Sequence, residues 1–136
     1  MKIMLDKGAK MPTRAHTYDA GLDLYTREGF SIPMKQSVSI DTGVHVQIPE
    51  GYVGLVKSKS GLMTRDGITT DGTIDAHYTG SIRVCLFNHS IFPYSFGAGE
   101  KIAQLVIVPC LLPELEVVDS LEETDRGDGG FGSTGR

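Results

Sequence analysis

The segment Ser37-Val-Ser-Ile-Asp-Thr-Gly-Val-His-Val-Gln-Ile-Pro-Glu-Gly51 decides how this chain folds. Before Asp41-Thr42-Gly43, Val38 and Ile40 alternate with serines. After it, every second residue in the range 44–48 is again apolar. Alternation with a period of two is the pattern of a β-strand with one buried face, and the Asp-Thr-Gly and Pro-Glu-Gly tripeptides are turn signals. The segment therefore predicts two short strands separated by a tight turn.

The same pattern continues along the chain. Residues 81–86 alternate, and residues 102–108 form a nearly unbroken apolar run that predicts a strand covered on both faces. Turn signals separate the predicted strands at short intervals, and only residues 60–66 predict a helical turn, with Ser60 as its cap. Many short strands with frequent turns predict an all-β fold, a jelly-roll-like distorted β-barrel.

Size and composition predict one soluble domain. The chain has 136 residues, a net charge of −4 and 40% hydrophobic residues, so no basic surface favours nucleic acid as a partner. Cys85 and Cys110 lie in apolar runs without metal-site spacing, which predicts buried free thiols in a reducing compartment. No signal-peptide pattern and no membrane-length apolar stretch is found, so we expect a cytoplasmic protein without membrane contacts, or one in a host cytoplasm if the source is a virus or phage.

The C-terminal segment Arg126-Gly-Asp-Gly-Gly-Phe-Gly-Ser-Thr-Gly-Arg136 has a composition that suits phosphate binding. Glycine allows backbone N–H groups to converge on an anion, while hydroxyls and Arg126 add donors and charge. Phe131 could stack on a base beside those phosphates. The alternative is an ordinary flexible tail. We expect a domain of residues 1–125, and composition alone leaves open whether the glycine-rich residues 126–136 are a lid or a flexible tail.

Two internal segments combine turns with polar side chains. Lys57-Ser-Lys-Ser-Gly-Leu62 predicts either an anion site at a helix N-terminus or a simple capped turn. Asp71-Gly-Thr-Ile-Asp-Ala-His-Tyr-Thr-Gly80 predicts a hairpin, with a short strand around Ile74, a turn at Thr79-Gly80 and a strand from Ile82. Its Asp75 is the best candidate for a general base that orients a water, although a turn residue bonded to its own backbone fits equally.

Two further segments place a polar residue within an apolar strand. Asp23, in Ala20-Gly-Leu-Asp-Leu-Tyr25, would point away from its leucine neighbours, towards solvent unless a ligand or partner covers it. Gln104 interrupts the apolar run of residues 102–108, so its amide needs a structural partner or a ligand. The sequence contains no P-loop, zinc-ligand spacing or nucleophile elbow.

In this order and spacing, the five segments resemble the five motifs of the trimeric deoxyuridine triphosphatases (dUTPases), which hydrolyse dUTP to dUMP and pyrophosphate. The resemblance extends from Ala20 to Arg136, and the C-terminal segment is its most specific part. It implies a jelly-roll-like β-barrel that assembles as a homotrimer. Each active site would be shared among subunits, with dUTP as substrate and Mg²⁺ as cofactor.

The resemblance also implies residue roles. Asp75 would activate the attacking water, Asp23 would contact Mg²⁺ through water, and Tyr78 would pack on the deoxyribose. Arg126 would contact the γ-phosphate, and Phe131 would cover the uracil. The implied substrate-binding residues are Lys59, Ser60, Gly61, Gly72, Tyr78, Gln104, Arg126, Phe131, Gly132, Ser133 and Thr134.

Three positions depart from the motifs. Lys59 and Lys101 stand where the family usually has arginine, so a bidentate phosphate contact becomes a point charge. His77 takes the place of a common acidic residue. The alternatives to a dUTPase are a dCTP deaminase, which shares the fold, and a non-catalytic nucleotide sensor or protein-binding regulator. The presence of Asp75 argues against a purely non-catalytic role.

Overall fold

The alternating segments form short strands, and the predicted all-β fold is confirmed. The computed structural model describes residues 1–130, which contain eleven strands and one π-helical turn, Leu62–Asp66. The strands are β1 (Lys2–Leu5), β2 (Gly21–Tyr25), β3 (Phe30–Ile32), β4 (Ser37–Asp41), β5 (Val44–Gln47), β6 (Tyr52–Lys57), β7 (Ile68–Thr69), β8 (Asp71–Ile74), β9 (Arg83–Asn88), β10 (Tyr94–Phe96) and β11 (Lys101–Pro109).

The strands pair antiparallel in four sheets. The largest has the order β2-β11-β6-β8, and a three-stranded sheet has the order β4-β9-β7. Two smaller sheets pair β1 with β5 and β3 with β10. Most neighbours within a sheet are distant in sequence, as expected for a barrel of jelly-roll type rather than a meander.

The buried faces of these sheets form one apolar core. In β9, Val84 and Leu86 are buried while Arg83, Cys85 and Phe87 point outward. Fully buried members from the four-stranded sheet include Leu24 and Leu105. Cys85 is exposed and Cys110 is half-buried, so the prediction of two buried thiols was wrong: period-two alternation places Cys85 on the outer face of β9.

The predicted helical turn exists, but its start differs from the prediction. Gly61 is the N-cap and no side chain caps the turn, so Ser60 does not cap it. Instead, the Ser60 carbonyl oxygen accepts a hydrogen bond from the Thr64 hydroxyl at 2.8 Å. Gly67, with φ of 67°, ends the turn in the left-handed region.

The hairpin predicted from residues 71–80 is also corrected. Asp71 and Gly72 lie within β8, which pairs with β6, whereas β9 pairs with β4 and β7. The segment therefore crosses from one sheet to another, and its two flanking strands are not partners. The predicted strand around Ile74 exists as the end of β8, but its pairing with β6 replaces the local hairpin with β9 that the turn residues favoured.

Strand β11 is longer and less enclosed than predicted. Residues 106–108 are only half-buried in the single chain, although Ile102, Ala103 and Leu105 are buried. After β11, residues 110–130 contain no strand or helix, and they expose large apolar side chains that include Leu111, Leu115 and Val117. Exposed apolar side chains at this density are typical of a surface that another chain covers. Within the described residues 1–130, no helix is long and apolar enough to cross a membrane.

Asn88, at the end of β9, is a buried polar residue whose hydrogen bonds contribute to the stability of the fold. Its side chain is fully buried; Nδ2 donates to the carbonyl oxygens of Ile32 (3.1 Å) and Phe92 (2.7 Å), and Oδ1 accepts from the Ser90 N–H (2.9 Å). Asn88→Ala should lower the free energy of unfolding by about 2–3 kcal/mol, because buried backbone groups lose their partners. Ser39→Ala, on the exposed face of β4, should change it by less than about 0.5 kcal/mol. Denaturant unfolding of both variants at one protein concentration measures the difference, and equal stabilities would contradict this role of Asn88.

Candidate active site

A buried carboxylate and two lysines form the most highly charged group in the large sheet. The Asp23 side chain is 7% exposed. Lys59 Nζ contacts its Oδ1, and Lys101 Nζ lies 2.7 Å from its Oδ2. Gln104 lies directly opposite Asp23 in the β2–β11 pairing. We call Asp23, Lys59, Lys101 and Gln104 the β2–β11 cluster.

A bulge in β11 brings these side chains to one face. Lys101 pairs with Tyr25 and Gln104 pairs with Asp23, with a register shift between Lys101 and Ala103. Residues three apart in a regular strand point to opposite faces, so an unbroken β11 would separate Lys101 from Gln104. The extra residue restores both to the face that carries Asp23.

Electrostatics keep Asp23 ionised in spite of its burial. Burial acts to raise the pKa of this carboxyl, but hydrogen bonds and charges from Lys101 and Lys59 outweigh it and hold the pKa below its ordinary value. The same contact raises the pKa of Lys101. The Asp23 backbone N–H donates to the Thr13 carbonyl oxygen at 2.7 Å, which covers the strand. Asp23 is therefore a buried, paired residue rather than a solvent-facing strand position.

Gln104 is fixed by a glycine and by a backbone carbonyl. Its Nε2 donates to the Ser58 carbonyl oxygen at 3.0 Å. A Cβ atom on Gly21 would lie 2.2 Å from Gln104 Oε1, so only glycine leaves room for this side chain. Gly21, Asp23, Lys59 and Gln104 line one cavity of about 370 Å³, with Asp19 at its rim. The cavity therefore joins the Lys59 ammonium group, the Gln104 amide and the carboxylates of Asp19 and Asp23, and Lys101 contacts Asp23 beside it.

Ser60 and Gly61 follow Lys59 at the start of the π-helical turn. Both are exposed, and they belong to the segment that carries Lys59 to Asp23. The preceding Ser58 hydroxyl donates to the Thr70 carbonyl oxygen and accepts from the Thr70 N–H, both at 2.8 Å. Segment 58–61 is thus fastened to the loop before β8, with its polar groups open to the solvent.

Asp75 and Tyr78 lie in a different part of the molecule, which we call the 75–81 loop. Asp75 is exposed just after β8, and its carbonyl oxygen accepts the Tyr78 N–H at 3.2 Å. Within this turn His77 has a φ of 69°, and its Nε2 lies 3.2 Å from Glu50 Oε1 at the exposed surface. Tyr78 is 45% exposed. Asp75 and His77 line a second cavity, of about 610 Å³.

One chain does not bring the two groups together. The register aligns Asp23, Gln104, Lys57 and Asp71 in a row across the four strands. Asp75 lies four residues beyond that row, at the far edge of the sheet. Sheet spacing alone then separates Asp23 from Asp75 by about 20 Å. Gly72, one residue past the row on β8, lies between them. The predicted site residues therefore form two separate sets in the single chain.

The C-terminal residues complete the comparison with the sequence prediction. Arg126 is exposed and its Nε donates to the Gly129 carbonyl oxygen at 3.0 Å, within a turn. Phe131, Gly132, Ser133 and Thr134 lie outside the described residues. The division between a domain and a lid at Asp125 stays a prediction.

The described residues fit a magnesium ion only as a hydrated ion held mainly by a substrate. Within residues 1–130, no group of three or more His, Cys, Asp or Glu side chains could hold a metal ion. The Asp23 oxygens already accept hydrogen bonds from Lys59 and Lys101, but a carboxylate has further lone pairs that can accept from metal-bound water. This agrees with the coordination of Mg²⁺ in proteins, where the ion usually retains several water ligands and has few direct protein ligands.

Sequence analysis missed the contacts that organise both groups. Lys101 was noted only as a departure from arginine, although it neutralises Asp23 directly. The consecutive apolar pair Ile102-Ala103 was the available sign of the bulge. No sequence signal connected Thr13 to Asp23, because that contact depends on a loop crossing the sheet edge.

Comparison with known proteins identifies the family. The family model described as dUTPase matches residues 7–135. The deoxyuridine 5′-triphosphate nucleotidohydrolase of Mycolicibacterium gilvum is 44% identical, with 98% of this chain and 92% of that protein covered. The protein of the same name from Yarrowia lipolytica is 40% identical, with 96% and 85% covered.

Solved structures agree. A dUTPase of Staphylococcus bacteriophage 80alpha with dUpNHpp has a TM-score of 0.93 and 34% identity, covering 99% of this chain and 98% of that one. A dUTPase variant from phage phi11 of S. aureus, described with a structural Mg(II) ion, has a TM-score of 0.84 and 33% identity, covering 90% and 98%. This chain belongs to the dUTPase family, and the resemblance inferred from its five motifs is confirmed.

The Lys101–Asp23 pair gives a testable effect on stability. Lys101→Met leaves the buried Asp23 carboxylate with one cation, so it should lower the free energy of unfolding at pH 7, by an amount limited by the 42% exposure of the Lys101 side chain. A lowered pKa contributes stability above the unfolded-state pKa of about 3.9, and that contribution is lost as the pH falls through the folded-state value. The difference between the variant and the parent should therefore shrink below about pH 4.

The matched control is Lys57→Met, in the same sheet. Lys57 pairs with Asp71, whose side chain is 75% exposed, so its loss should change stability by less than about 0.5 kcal/mol at either pH. Denaturant unfolding at pH 7 and pH 3.5 measures all four values. Equal losses for both variants at pH 7 would contradict the structural role of the buried pair.

Proposed function

We propose that this chain hydrolyses dUTP to dUMP and pyrophosphate by attack of water on the α-phosphorus, with Mg²⁺ bound to the phosphates. The observation that carries the proposal is the β2–β11 cluster, in which two lysines pair with Asp23 beside a cavity lined by Lys59 and Gln104, in a chain of the dUTPase family. The product dUMP would serve thymidylate synthesis, and removal of dUTP would limit its concentration.

The β2–β11 cluster would bind the triphosphate. Lys59 provides a positive charge, and Ser60 and Gly61 provide a hydroxyl and exposed backbone N–H groups beside it. Gln104 is held by Gly21 and by the Ser58 carbonyl oxygen, so a water or phosphate oxygen would meet an already oriented amide. Asp23, paired with two lysines, would accept hydrogen bonds from water on the metal ion. Bound Mg²⁺ would supply neutralisation of the phosphate charge.

The 75–81 loop would carry the chemical step and the choice of nucleoside. The Asp75 carboxylate would take a proton from the attacking water, whose oxygen forms a bond to the α-phosphorus while the bond from that phosphorus to the bridging oxygen breaks. Pyrophosphate is the leaving group. Tyr78 would pack on the deoxyribose and leave no room for a 2′-hydroxyl. Backbone groups from Gly72 to Tyr78 would pair with the uracil edge and exclude the methyl group of thymine.

A homotrimer with shared sites would unite the two sets of residues. Asp23 and Asp75 are about 20 Å apart in one chain, too far to act on the α-phosphorus and its neighbouring phosphates from a single subunit. The exposed apolar side chains of residues 111–121 support burial against another copy. The segment from Arg126 would complete each site, with Arg126 on the γ-phosphate, Phe131 over the uracil, and Gly132, Ser133 and Thr134 on the phosphates.

Pyrophosphate release with Mg²⁺, from dUTP, dCTP, dTTP and UTP in parallel, tests the function. Turnover of dUTP alone is expected. Ammonia release from dCTP would indicate the deaminase, and dUTP binding without turnover of any of the four would favour the regulator. Loss of activity with a chelator and its return with Mg²⁺ would support the metal requirement.

Asp75→Asn tests the general base. The amide cannot accept the proton of the attacking water, so kcat should fall by about 100-fold or more while dUTP binding and the fold are retained. Because Asp75 is exposed, its replacement should leave thermal stability unchanged. Steady-state kinetics and equilibrium binding of a non-hydrolysable dUTP analogue provide the measurements. A variant with nearly normal kcat would remove Asp75 from the mechanism.

Subunit mixing tests the shared site. Asp75→Asn and Lys59→Ala should each be nearly inactive alone, because each removes one half of every site. After denaturation and refolding together in equal amounts, random trimers would contain about a quarter of sites with both native halves, so activity should return to about a quarter of the parent value. The control refolds each variant separately. Absence of recovery in the mixture, with trimers formed, would show that one chain supplies both residues.

A further inference from the structure

Residues 79–82 are held by hydrogen bonds to the turn between β4 and β5. The Ser81 hydroxyl donates to Asp41 Oδ1 at 2.5 Å, and the Thr42 hydroxyl donates to the Ile82 carbonyl oxygen at 2.7 Å. His45, at the second position of β5, places its Nδ1 2.8 Å from the Thr79 carbonyl oxygen. Thr79, Ser81 and Ile82 are thus all bonded to residues 41–45, which form the turn between β4 and β5 and its flanks.

The two contacts of His45 define its protonation state. Nδ1 faces a carbonyl oxygen, which can only accept a hydrogen bond. Nε2 lies 3.2 Å from Asp6 Oδ1, and an ionised carboxylate likewise only accepts. Both ring nitrogens must therefore carry a proton for both bonds to form. The His45 side chain is 17% exposed, whereas Asp6 is 41% exposed and Thr79 lies at the surface, so the ring is shielded from water more than its partners are.

The charges around His45 favour this imidazolium. The Thr79 carbonyl contributes most to raising the pKa of His45, burial opposes it, and Asp6 and Asp41 raise it further. Arg27 offsets part of this negative charge, since it lies 3.9 Å from Asp6 and 3.3 Å from Asp41. The positive groups nearby also include Lys2, which lines the same cavity as His45, and Arg83, 3.6 Å from Asp41.

Tyr78 is fixed to the part of the loop that His45 holds. Its hydroxyl donates to the Ser81 carbonyl oxygen at 3.1 Å. The ring lies so close to Gly80 that a Cβ there would be 2.4 Å from Tyr78 Oη. Tyr78 therefore follows the backbone of residues 79–81, and displacement of the Thr79 carbonyl would displace the ring.

We propose that His45, as an imidazolium bridging Asp6 and the Thr79 carbonyl, is a positioning residue for Tyr78 and thereby sets the affinity for the deoxynucleotide. The inference rests on the proposed function for the role of Tyr78. The polar contacts of His45 are with Asp6 and Thr79 and not with Asp75, so we expect it to act on KM rather than kcat. When its proton is lost, one of the two bonds breaks and the loop loosens.

Kinetics against pH test the proposal. For the parent enzyme, KM for dUTP should rise as the pH increases through the raised pKa of His45, with no matching step in kcat. His45→Ala should raise KM about fivefold at low pH, as expected for the loss of one hydrogen bond of ordinary net strength. His45→Asn keeps an N–H donor near the Thr79 carbonyl without a titrating group, so it should restore much of the affinity and remove the step.

Ratios between variants at each pH cancel the titration of dUTP itself. Asp6→Asn should shift the step to lower pH, because it removes the anion beside Nε2. His89→Asn is the matched control: this histidine contacts Thr69 on another sheet, and its loss should leave the KM profile unchanged. A step that persists in His45→Asn, or a KM unaffected by His45→Ala, would overturn the proposal.

Amide hydrogen exchange without nucleotide separates this inference from the proposed function. Peptides covering residues 75–82 should exchange faster in His45→Ala than in the parent, and faster in the parent above the His45 pKa once intrinsic rates are corrected. Equal exchange in both proteins would overturn the role of His45 even if dUTP is hydrolysed. Loop protection that depends on His45 in a chain that does not hydrolyse dUTP would instead overturn the proposed function, and with it the effect on deoxynucleotide affinity.

Discussion

A buried carboxylate must be neutralised, and this requirement organises the large sheet. Asp23 is almost inaccessible to solvent, and a lone ion in such a place would be strongly unfavourable. Its neutralisation by Lys59 and Lys101 draws on the segment after β6 and on the start of β11. The bulge that brings Lys101 to this face also brings Gln104 to it. The cavity and its polar groups thus depend on how one carboxylate is paired.

The same sheet separates two sets of residues that the proposed reaction requires in one site. Register places the β2–β11 cluster and the 75–81 loop at opposite corners, and no rotation of side chains spans about 20 Å. A sheet is rigid because its ladders share hydrogen bonds along every strand, so the gap is not closed by local motion. Within the described residues, the single chain holds the two sets of residues at opposite corners of the sheet. Under the proposed reaction, assembly of copies would then be part of the chemistry.

Sequence predicted the elements whose signal is local. Alternation identified the buried faces around Val44 and Val84, because period two reflects burial directly. It also implied that Cys85 points outward, yet the cysteine was predicted as buried from its apolar neighbours. The hairpin prediction for residues 71–80 was wrong, because β8 pairs with β6 rather than with β9. The contacts of Lys101 with Asp23 and of His45 with Thr79 join segments far apart in sequence, so no local pattern could reveal them.

The two lysines at arginine positions acquire a physical meaning from the structure. An arginine binds a carboxylate with two parallel bonds, whereas a lysine ammonium is a point charge on a flexible stem. Here each oxygen of Asp23 has its own lysine, so the pair together supply the two contacts that one arginine could make. Under the proposed reaction, Lys59 can move from Asp23 to a phosphate oxygen while Lys101 remains on the carboxylate. Because an ammonium group is a point charge, Lys59 can exchange one partner oxygen for another without breaking the paired bonds that a bidentate arginine would hold.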